Sequence, residues 1–281
     1  PPVLQLPTDR PRPARQSHRG TSLAFALPED LTDALKTFSR RERATLFMTL
    51  MAAFKVLLFR YTGQTDISVG TPIANRTKRD TEPLIGFFAN TLVLRSELDA
   101  GLPFSEFLTR VRTTSLEAFA HQDMPLDKLV ELLRPERSLS HQPLFQVMLA
   151  LQNTPGEALD LAGVTVEPFP LPSWSSKFDL LISVEESSPR IKGYLEFNTD
   201  LFDLGTAERM WRHFEVLLRG IVANPSQCLA ELPLLDREEK ERILVTWNRT
   251  EAPYPRDLPV HAVFESRALQ SPDAIAVVDR D

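Results

Sequence analysis

The hydrophobic pattern of this chain switches between a period of two residues and a period of about 3.6 residues, which predicts alternating strands and helices. Residues 21–27 alternate like a strand, and Pro28 then opens a helix over residues 31–39. A second helix, predicted from Thr45 to Arg60, is apolar on most of its surface. Its apolar run is shorter than the roughly 18 residues that cross a bilayer, so we expect a buried core helix and no membrane partner.

The stretch from Asp66 to Ser96 carries two strand patterns joined by a polar, basic loop. The first strand is predicted to stop at Pro72, because proline has no backbone N–H to donate to a sheet. Residues 91–96 alternate with a period of two, which predicts a second strand with one face more buried than the other. Loops held by strands at both ends are common places for functional residues, so we expect a site between these strands.

The remaining elements continue the alternation, which favours an α/β architecture with helices layered on a sheet. Asp203 precedes one of the helices and is predicted to cap it. The predicted elements, in chain order, are helices over 103–121 and 126–133, a buried strand over 144–151, a hairpin of strands over 178–184 and 190–198, a helix over 207–221, and a helix and strand within 261–281.

Composition and charge narrow the class of protein. With 281 residues, of which 42% are hydrophobic, the chain can build a substantial core. Its net charge of -6, from 32 basic and 38 acidic residues, argues against a nucleic-acid partner. The lone Cys228 cannot form an internal disulfide, and the first residues do not form a signal peptide pattern, so we predict a cytoplasmic protein.

No complete catalytic constellation is recognisable in the chain. A phosphate-binding glycine-rich loop, a CxxC pair, a nucleophile elbow and a convincing metal-binding pair are all missing from the sequence, which predicts neither ATP nor metal binding. His121, Gln122 and Asp123 place a histidine close to a carboxylate. Side chains at i and i+2 diverge at a helix end, so we interpret these residues as fixing the turn before Pro125.

Four motifs, in a fixed order, resemble the later core motifs of condensation domains in nonribosomal peptide synthetases. They are VGTPIANR (Val69 to Arg76), IGFFANTLVLR (Ile85 to Arg95), HQDMPLD (His121 to Asp127) and RSLSHQPLFQ (Arg137 to Gln146). The family's catalytic HHxxxDG motif belongs to the half of the domain that would precede Pro1. The resemblance therefore implies the second lobe of a two-lobe domain, with a chloramphenicol acetyltransferase-like α/β fold in which helices flank a mixed sheet.

The same resemblance implies a division of the chain into four segments. Residues 1–20, which are rich in proline and arginine, would be the connector between the lobes, and residues 21–225 would be the C-terminal lobe. Residues 226–258 would link the condensation domain to an adenylation domain. Residues 259–281 would be the incomplete start of that adenylation domain.

The resemblance also assigns roles to individual residues. Arg76 would pair with the aspartate of HHxxxDG across the lobe interface, although a solvent-exposed loop arginine is the alternative. Asn90 ends the loop that would floor the substrate tunnel, and a segment within 164–184 would cross to the first lobe. Gln146 either faces the tunnel or makes a core hydrogen bond to backbone. The signature positions expected to have structural roles are Gly70, Pro72, Gly86, His121, Gln122 and Asp123.

By resemblance, the parent enzyme would transfer an acyl or peptidyl group from one carrier-protein thioester to the amine of an aminoacyl thioester on another. The chain would need no cofactor of its own, because the phosphopantetheine arm is carried by the partner carrier proteins. Its partners would be the missing N-terminal lobe, peptidyl carrier proteins and a downstream adenylation domain. Without HHxxxDG, the chain alone is predicted to be inactive.

Two other functions remain open at this point. The chain could be a non-catalytic module that docks a carrier protein. It could also be a stand-alone acyltransferase or epimerase-like enzyme, which would need a catalytic histidine. The candidates for that histidine are His18, His121, His141, His213 and His261.

Overall fold

The computed structural model describes residues 2–76, 79–81, 84–136, 138–152, 164, 174–186, 189–253 and 256–279. They form two compact units, Pro1–Asp236 and Arg237–Asp281. The strands are β1 (Gly20–Ala26), β2 (Asp66–Ile73), β3 (Asn90–Glu97), β4 (Val147–Gln152), β5 (Leu180–Glu186) and β6 (Ile191–Asn198). The helices of the first unit are α1 (Glu29–Arg41), α2 (Leu46–Thr62), α3 (Phe104–Ala120), α4 (Leu126–Leu133) and α5 (Leu204–Ala223).

The six strands form one mixed sheet in the order β1-β6-β5-β4-β2-β3. Strand β4 runs parallel to both β2 and β5, whereas the β2–β3, β5–β6 and β1–β6 pairs are antiparallel. The predicted hairpin of β5 and β6 and the predicted mixed sheet with flanking helices are therefore confirmed. The connection from β2 to its parallel neighbour β4 passes through β3, α3 and α4.

Several strand boundaries differ from the prediction by one or more residues, and two of the differences have a clear structural cause. Strand β2 continues through Pro72 to Ile73, and Pro72 lies opposite Thr91 of β3. Pro72 is exposed near the end of the strand, where a missing N–H is tolerated. Strand β4 begins at Val147 instead of Leu144, because Leu144 has a φ of 67° and its left-handed backbone cannot continue a strand.

The main core lies between one face of the sheet and helices α1, α2, α3 and α5. The predicted core helix α2 is confirmed: Thr45 accepts a hydrogen bond from the Met48 N–H at 3.2 Å, and Gly63 ends the helix with a φ of 70°. Twelve of its residues are buried, and one of these is Lys55. The Lys55 Nζ donates to the Ser96 hydroxyl on β3 at 2.7 Å.

A smaller apolar cluster covers part of the opposite face of the sheet. It centres on Leu144, Phe145 and Met148, which lie before and within β4. Helix α4 contributes Leu126, Leu129 and Val130 to this cluster, and β3 and β5 contribute Val93 and Leu181. Helix α4 is therefore held by the second face of the sheet and not by the main core.

The N-terminal segment, residues 2–19, is extended and packs along the first unit at many points. Leu4 and Leu6 are buried in the main core. Arg12 holds both carboxylate oxygens of the buried Asp179, with its Nη1 at 2.9 Å from Oδ1. This two-pronged ion pair joins the segment to the start of β5, so the segment is an integral part of the unit.

The start of α5 differs in detail from the prediction. Asp203 occupies the N-cap position, but its side chain makes no capping hydrogen bond and instead pairs with Arg10. Asp9 supplies part of the missing cap, since its carboxylate accepts the Asp203 N–H at 2.8 Å and the Thr206 hydroxyl at 2.9 Å. The cap is thus provided by a residue far earlier in the chain.

The second unit contains helix α6 (Arg237–Glu241), a π-helical turn over Arg242–Thr246, and helix α7 (Val260–Gln270). The strand expected within residues 261–281 is not formed in the described part, residues 271–279. Ile275, Val277 and Val278 are instead exposed. A strand is stable only when it pairs with a neighbour, and this segment has no pairing partner among the described residues.

Candidate functional site

The four sequence motifs meet on the second face of the sheet, around β2, β3 and α4. Gly70 in the first motif and Phe145 in the fourth are in direct contact, because a Cβ placed on Gly70 would lie only 2.3 Å from the Phe145 ring. Phe145 also stacks on Phe178, with ring centroids 5.6 Å apart. A side chain at position 70 would displace the ring, so this packing requires glycine.

Asn90 joins the second and third motifs. Its Nδ2 donates to the carbonyl oxygens of Gln122 at 2.9 Å and Met124 at 2.8 Å. Its Oδ1 accepts the N–H groups of Thr91 at 2.8 Å and Leu126 at 3.2 Å. The side chain expected at the tunnel floor therefore binds the turn between α3 and α4.

The HQD residues lie in that turn. His121 is exposed at the C-terminal end of α3, and its N–H donates to the Ala118 carbonyl at 3.2 Å. Gln122 is half-buried and offers its carbonyl to Asn90. Asp123 is exposed. These contacts involve the backbone of the turn, which agrees with a role in shaping it.

Arg76 is half-buried and interacts with its own loop. One of its terminal nitrogens donates to the Leu84 carbonyl at 2.8 Å, and the guanidinium lies 4.4 Å from the centroid of the Phe88 ring. The other terminal nitrogen donates to the Thr81 carbonyl. Gly86 is exposed, and a Cβ there would lie 3.1 Å from Phe88.

The loop around Arg76 presents apolar side chains to solvent. Leu84, Ile85 and Phe87 are all exposed. Residues 77–78 and 82–83 of this loop lie outside the described residues, as do residues 165–173, which fall in the segment expected to cross to another lobe. Large exposed apolar groups near one another are typical of a surface that contacts a partner.

Gln146 is buried, and its amide is engaged by backbone groups. Its Oε1 accepts the Leu4 N–H at 2.8 Å, and its Nε2 donates to the Gln142 carbonyl at 3.0 Å. These bonds match the core hydrogen-bonding alternative considered for this residue. They also explain how the N-terminal segment is attached next to β4.

An ion pair between Arg95 and Asp66 joins β2 and β3. Arg95, which ends the second motif, binds Asp66 through two parallel hydrogen bonds of 2.8 and 2.7 Å. This contact lowers the pKa of Asp66 and raises that of Arg95. Because Arg95 is largely exposed, the pair should contribute little to the stability of the fold.

Sequence reasoning missed the unusual surroundings of Lys55 and of the ion pair between Arg12 and Asp179. Burial lowers the pKa of Lys55 to about 7, and the Arg12–Asp179 pair is largely buried. The signal for Lys55 was present, since a lysine in an almost wholly apolar helix must either be buried or interrupt the packing. The partner of Arg12 lies 167 residues away, so no local pattern could reveal it.

The five histidines lie in five different parts of the chain. His213 is buried in α5, with its Nδ1 2.6 Å from the Tyr61 hydroxyl. The other four lie in the N-terminal segment, at the end of α3, before β4 and in α7. Within the described ranges, no group of three or more His, Cys, Asp and Glu side chains could hold a metal ion.

Among the described helices, no single one is long and apolar enough to cross a membrane. By length and composition alone, α1 and α2 meet the requirement only as a pair, which is bent by 104°.

Comparison with known proteins identifies the family. The condensation-domain family model matches residues 1–244. A linear gramicidin synthase protein from Brevibacillus parabrevis is 49% identical over 280 residues, which are 99% of this chain and 6% of that protein. The chain thus spans a small part of its curated relative.

Solved structures agree with this result. A four-domain nonribosomal peptide synthetase, holo-AB3403 bound to AMP and glycine, superposes with a TM-score of 0.85 at 25% identity, over 97% of this chain and 22% of that one. The condensation domain of the Monacolin K polyketide synthase MokA superposes with a TM-score of 0.70 at 23% identity, over 82% of this chain and 54% of that one. The fold is the chloramphenicol acetyltransferase-like arrangement that the motifs implied. This chain therefore belongs to the condensation-domain family of nonribosomal peptide synthetases.

Proposed function

We propose that this chain is the C-terminal lobe of a condensation domain that forms peptide bonds, followed by the start of an adenylation domain. The observation that carries the proposal is the coverage of the MokA condensation domain, in which 82% of this chain corresponds to only 54% of that domain's chain. The sequence also contains no HHxxxDG motif. Both observations favour one lobe of a two-lobe domain.

In the complete enzyme, an acyl or peptidyl group would pass from one carrier-protein thioester to the amine of an aminoacyl thioester on a second carrier. The histidine motif of the first lobe would assist this transfer, and the second lobe would form the other wall of the tunnel. Phosphopantetheine arms on the carriers would deliver both substrates, so this lobe needs no cofactor. The chain alone would be inactive.

Arg76 would contribute to the interface between the lobes by binding the aspartate of HHxxxDG. Among its acceptors are the carbonyl oxygens of Thr81 and Leu84. A carboxylate is a stronger acceptor for a guanidinium than a carbonyl and can take two parallel hydrogen bonds. The exposed Leu84, Ile85 and Phe87 beside it supply apolar surface for the same contact.

Residues 226–258 would link the two catalytic domains, and residues 259–281 would begin the adenylation domain. Support for this part comes from the relatives that align over nearly the whole chain, including the four-domain synthetase. Ile275, Val277 and Val278 are exposed, and further residues of an adenylation domain would cover them.

The test compares this chain with the complete synthetase that contains it. Each is mixed with two carrier proteins, one loaded with a donor and one with an acceptor aminoacyl group, and the carriers are analysed by mass spectrometry. We expect the dipeptidyl product only with the complete enzyme, and its loss when the histidines of HHxxxDG are replaced by alanine. Product formed by this chain alone would favour the stand-alone enzyme, and carrier binding with no product from either protein would favour the docking module.

A further inference from the structure

The side-chain amide of Asn90 is fully used by hydrogen bonds that join two motifs. An asparagine amide offers two N–H donors and two acceptor lone pairs. Both donors bind carbonyl oxygens of the α3–α4 turn, those of Gln122 and Met124. The oxygen accepts the N–H of Thr91 in its own strand and the N–H of Leu126 in α4.

The bond to Leu126 replaces a missing helix cap. Helix α4 begins after Pro125, and no side chain at its N-cap position makes a capping bond. The first N–H groups of a helix have no partner within the helix, so one of them needs an acceptor from elsewhere. Asn90 supplies that acceptor from β3 and thereby ties the first residue of α4 to the sheet.

Asn90 also terminates the loop that carries Arg76. Phe88, whose ring lies beside the Arg76 guanidinium, precedes Asn90 by two residues. Two residues of chain span at most about 7 Å, so the grip on the α3–α4 turn is close to the aromatic contact of Arg76. The Asn90 side chain therefore joins the end of this loop, residues 88–90, to the α3–α4 turn.

We propose that Asn90 is a positioning residue, which holds residues 84–90, against which Arg76 packs, in a fixed position relative to the α3–α4 turn. This inference rests on the proposed function, because the purpose of the fixed position is to present Arg76 and the apolar residues beside it to the first lobe. Asn90 acts through Arg76 and does not contact the reacting groups. The packing of Leu126, Leu129 and Val130 on the Phe145 cluster anchors the turn to the sheet.

The decisive variant is Asn90→Asp in the complete synthetase. An aspartate keeps the oxygen that accepts from Thr91 and Leu126, but it loses both donors and places negative charge beside the Gln122 and Met124 carbonyls. Asn224→Asp is the matched control, since it makes the same chemical change at an exposed position after α5.

Two readouts are expected to respond to Asn90→Asp and not to the control. At a temperature where all proteins are folded, kcat for condensation falls about tenfold to a hundredfold, while KM for each loaded carrier stays within about threefold. Hydrogen exchange quickens about tenfold or more in two separate segments at once, residues 84–91 and 121–126. Amides in β5 and β6 keep their exchange rates.

The outcomes distinguish the positioning role of Asn90 from the proposed function of the chain. Unchanged kcat in Asn90→Asp, or faster exchange confined to residues 121–126, would overturn the positioning role while leaving the proposed function in place. A wild-type synthetase without condensation activity would overturn the proposed function, and the exchange experiment would still decide whether loop and turn are coupled. If Asn90→Asp does not fold, Asn90→Ser, which keeps one donor and adds no charge, is expected to show the same pattern with a smaller loss.

Discussion

Replacing Lys55 with methionine is expected to stabilise the protein, and the gain should depend on pH. The Lys55 side chain is 0% exposed within α2. In the part of the chain that the structure describes, the hydrogen bond to Ser96 at 2.7 Å is its polar contact. A hydroxyl compensates poorly for the loss of water around a charged amine, so burial lowers the pKa of Lys55 to about 7.

The size of the stabilisation and its dependence on pH follow from the lowered pKa of Lys55. The fall in pKa from 10.5 to about 7 corresponds to a free energy of about 5 kcal/mol. Below pH 7 both the folded and unfolded states carry the charge, so the full cost of burial is present. Between pH 7 and 10.5 the unfolded state binds a proton that the folded state lacks, so the stability of the wild type rises with pH.

Methionine has a similar length and helix propensity but no charge, so Lys55→Met removes this cost. Its advantage in free energy of unfolding should fall from about 5 kcal/mol near pH 6 to about 2 kcal/mol near pH 9. The Ser96 hydroxyl loses its partner in the variant, which subtracts about 1 kcal/mol from that advantage at every pH. The double variant Lys55→Met, Ser96→Ala should recover that loss.

Urea unfolding of wild type and variants at several pH values measures the difference directly. Lys128→Met is the control, because Lys128 is an exposed residue of α4 and its replacement should give no trend over this range. A difference between Lys55→Met and wild type that stays constant from pH 6 to pH 9 would refute the reasoning. The amine would then have to be hydrated or paired in solution.

Three further substitutions test other contacts. Arg12→Ala leaves the buried Asp179 carboxylate without its ion-pair partner and should lower the free energy of unfolding by about 3 to 5 kcal/mol. Adding Asp179→Asn to this variant should restore much of the loss. An equal loss in the double variant would argue against the ion pair. Gly70→Ala forces a Cβ to within 2.3 Å of the Phe145 ring and should cost about 1 to 3 kcal/mol, with partial relief from Phe145→Leu; a neutral result would show that the ring moves freely. Arg76→Ala should cost about 3 to 5 kcal/mol in the complete synthetase. The loss should be smaller in this chain alone, where the substitution removes hydrogen bonds to loop carbonyls and the contact with Phe88, and lysine should rescue only in part. Equal losses in thermal melts of both proteins would exclude the cross-lobe role.

Local sequence was sufficient for the elements whose signals lie within a few residues of one another. Helix α4 spans Leu126–Leu133 as predicted, because Pro125 starts it and its apolar residues keep a helical period. Helix α2 begins and ends within two residues of the prediction, because Thr45 and Gly63 mark its termini. Strand β3 shows the predicted alternation, with Leu92, Leu94 and Ser96 on its buried face.

The sequence motifs also located the candidate site, since they brought Arg76, Asn90 and Gln146 to attention. The sequence did not predict the individual contacts of these three residues. Asn90 binds backbone groups more than 30 positions away, and Gln146 accepts a hydrogen bond from a residue 142 positions away. A side chain's hydrogen-bonding partners depend on which segments the fold brings together, and no local period encodes that.

Tertiary structure also decided how the N-terminal segment and the start of α5 are held, because these contacts join segments that are far apart in the sequence. Residues 2–19 have the composition of a free connector, yet Leu4 and the Arg12–Asp179 pair attach them to the first unit. Asp203 has the sequence position of a helix cap, but its carboxylate pairs with Arg10, and Asp9 accepts the Asp203 N–H and the Thr206 hydroxyl at the start of the helix. Propensities and periods act over one or two turns of chain, whereas desolvation, charge pairing and steric fit act between surfaces that meet only after folding.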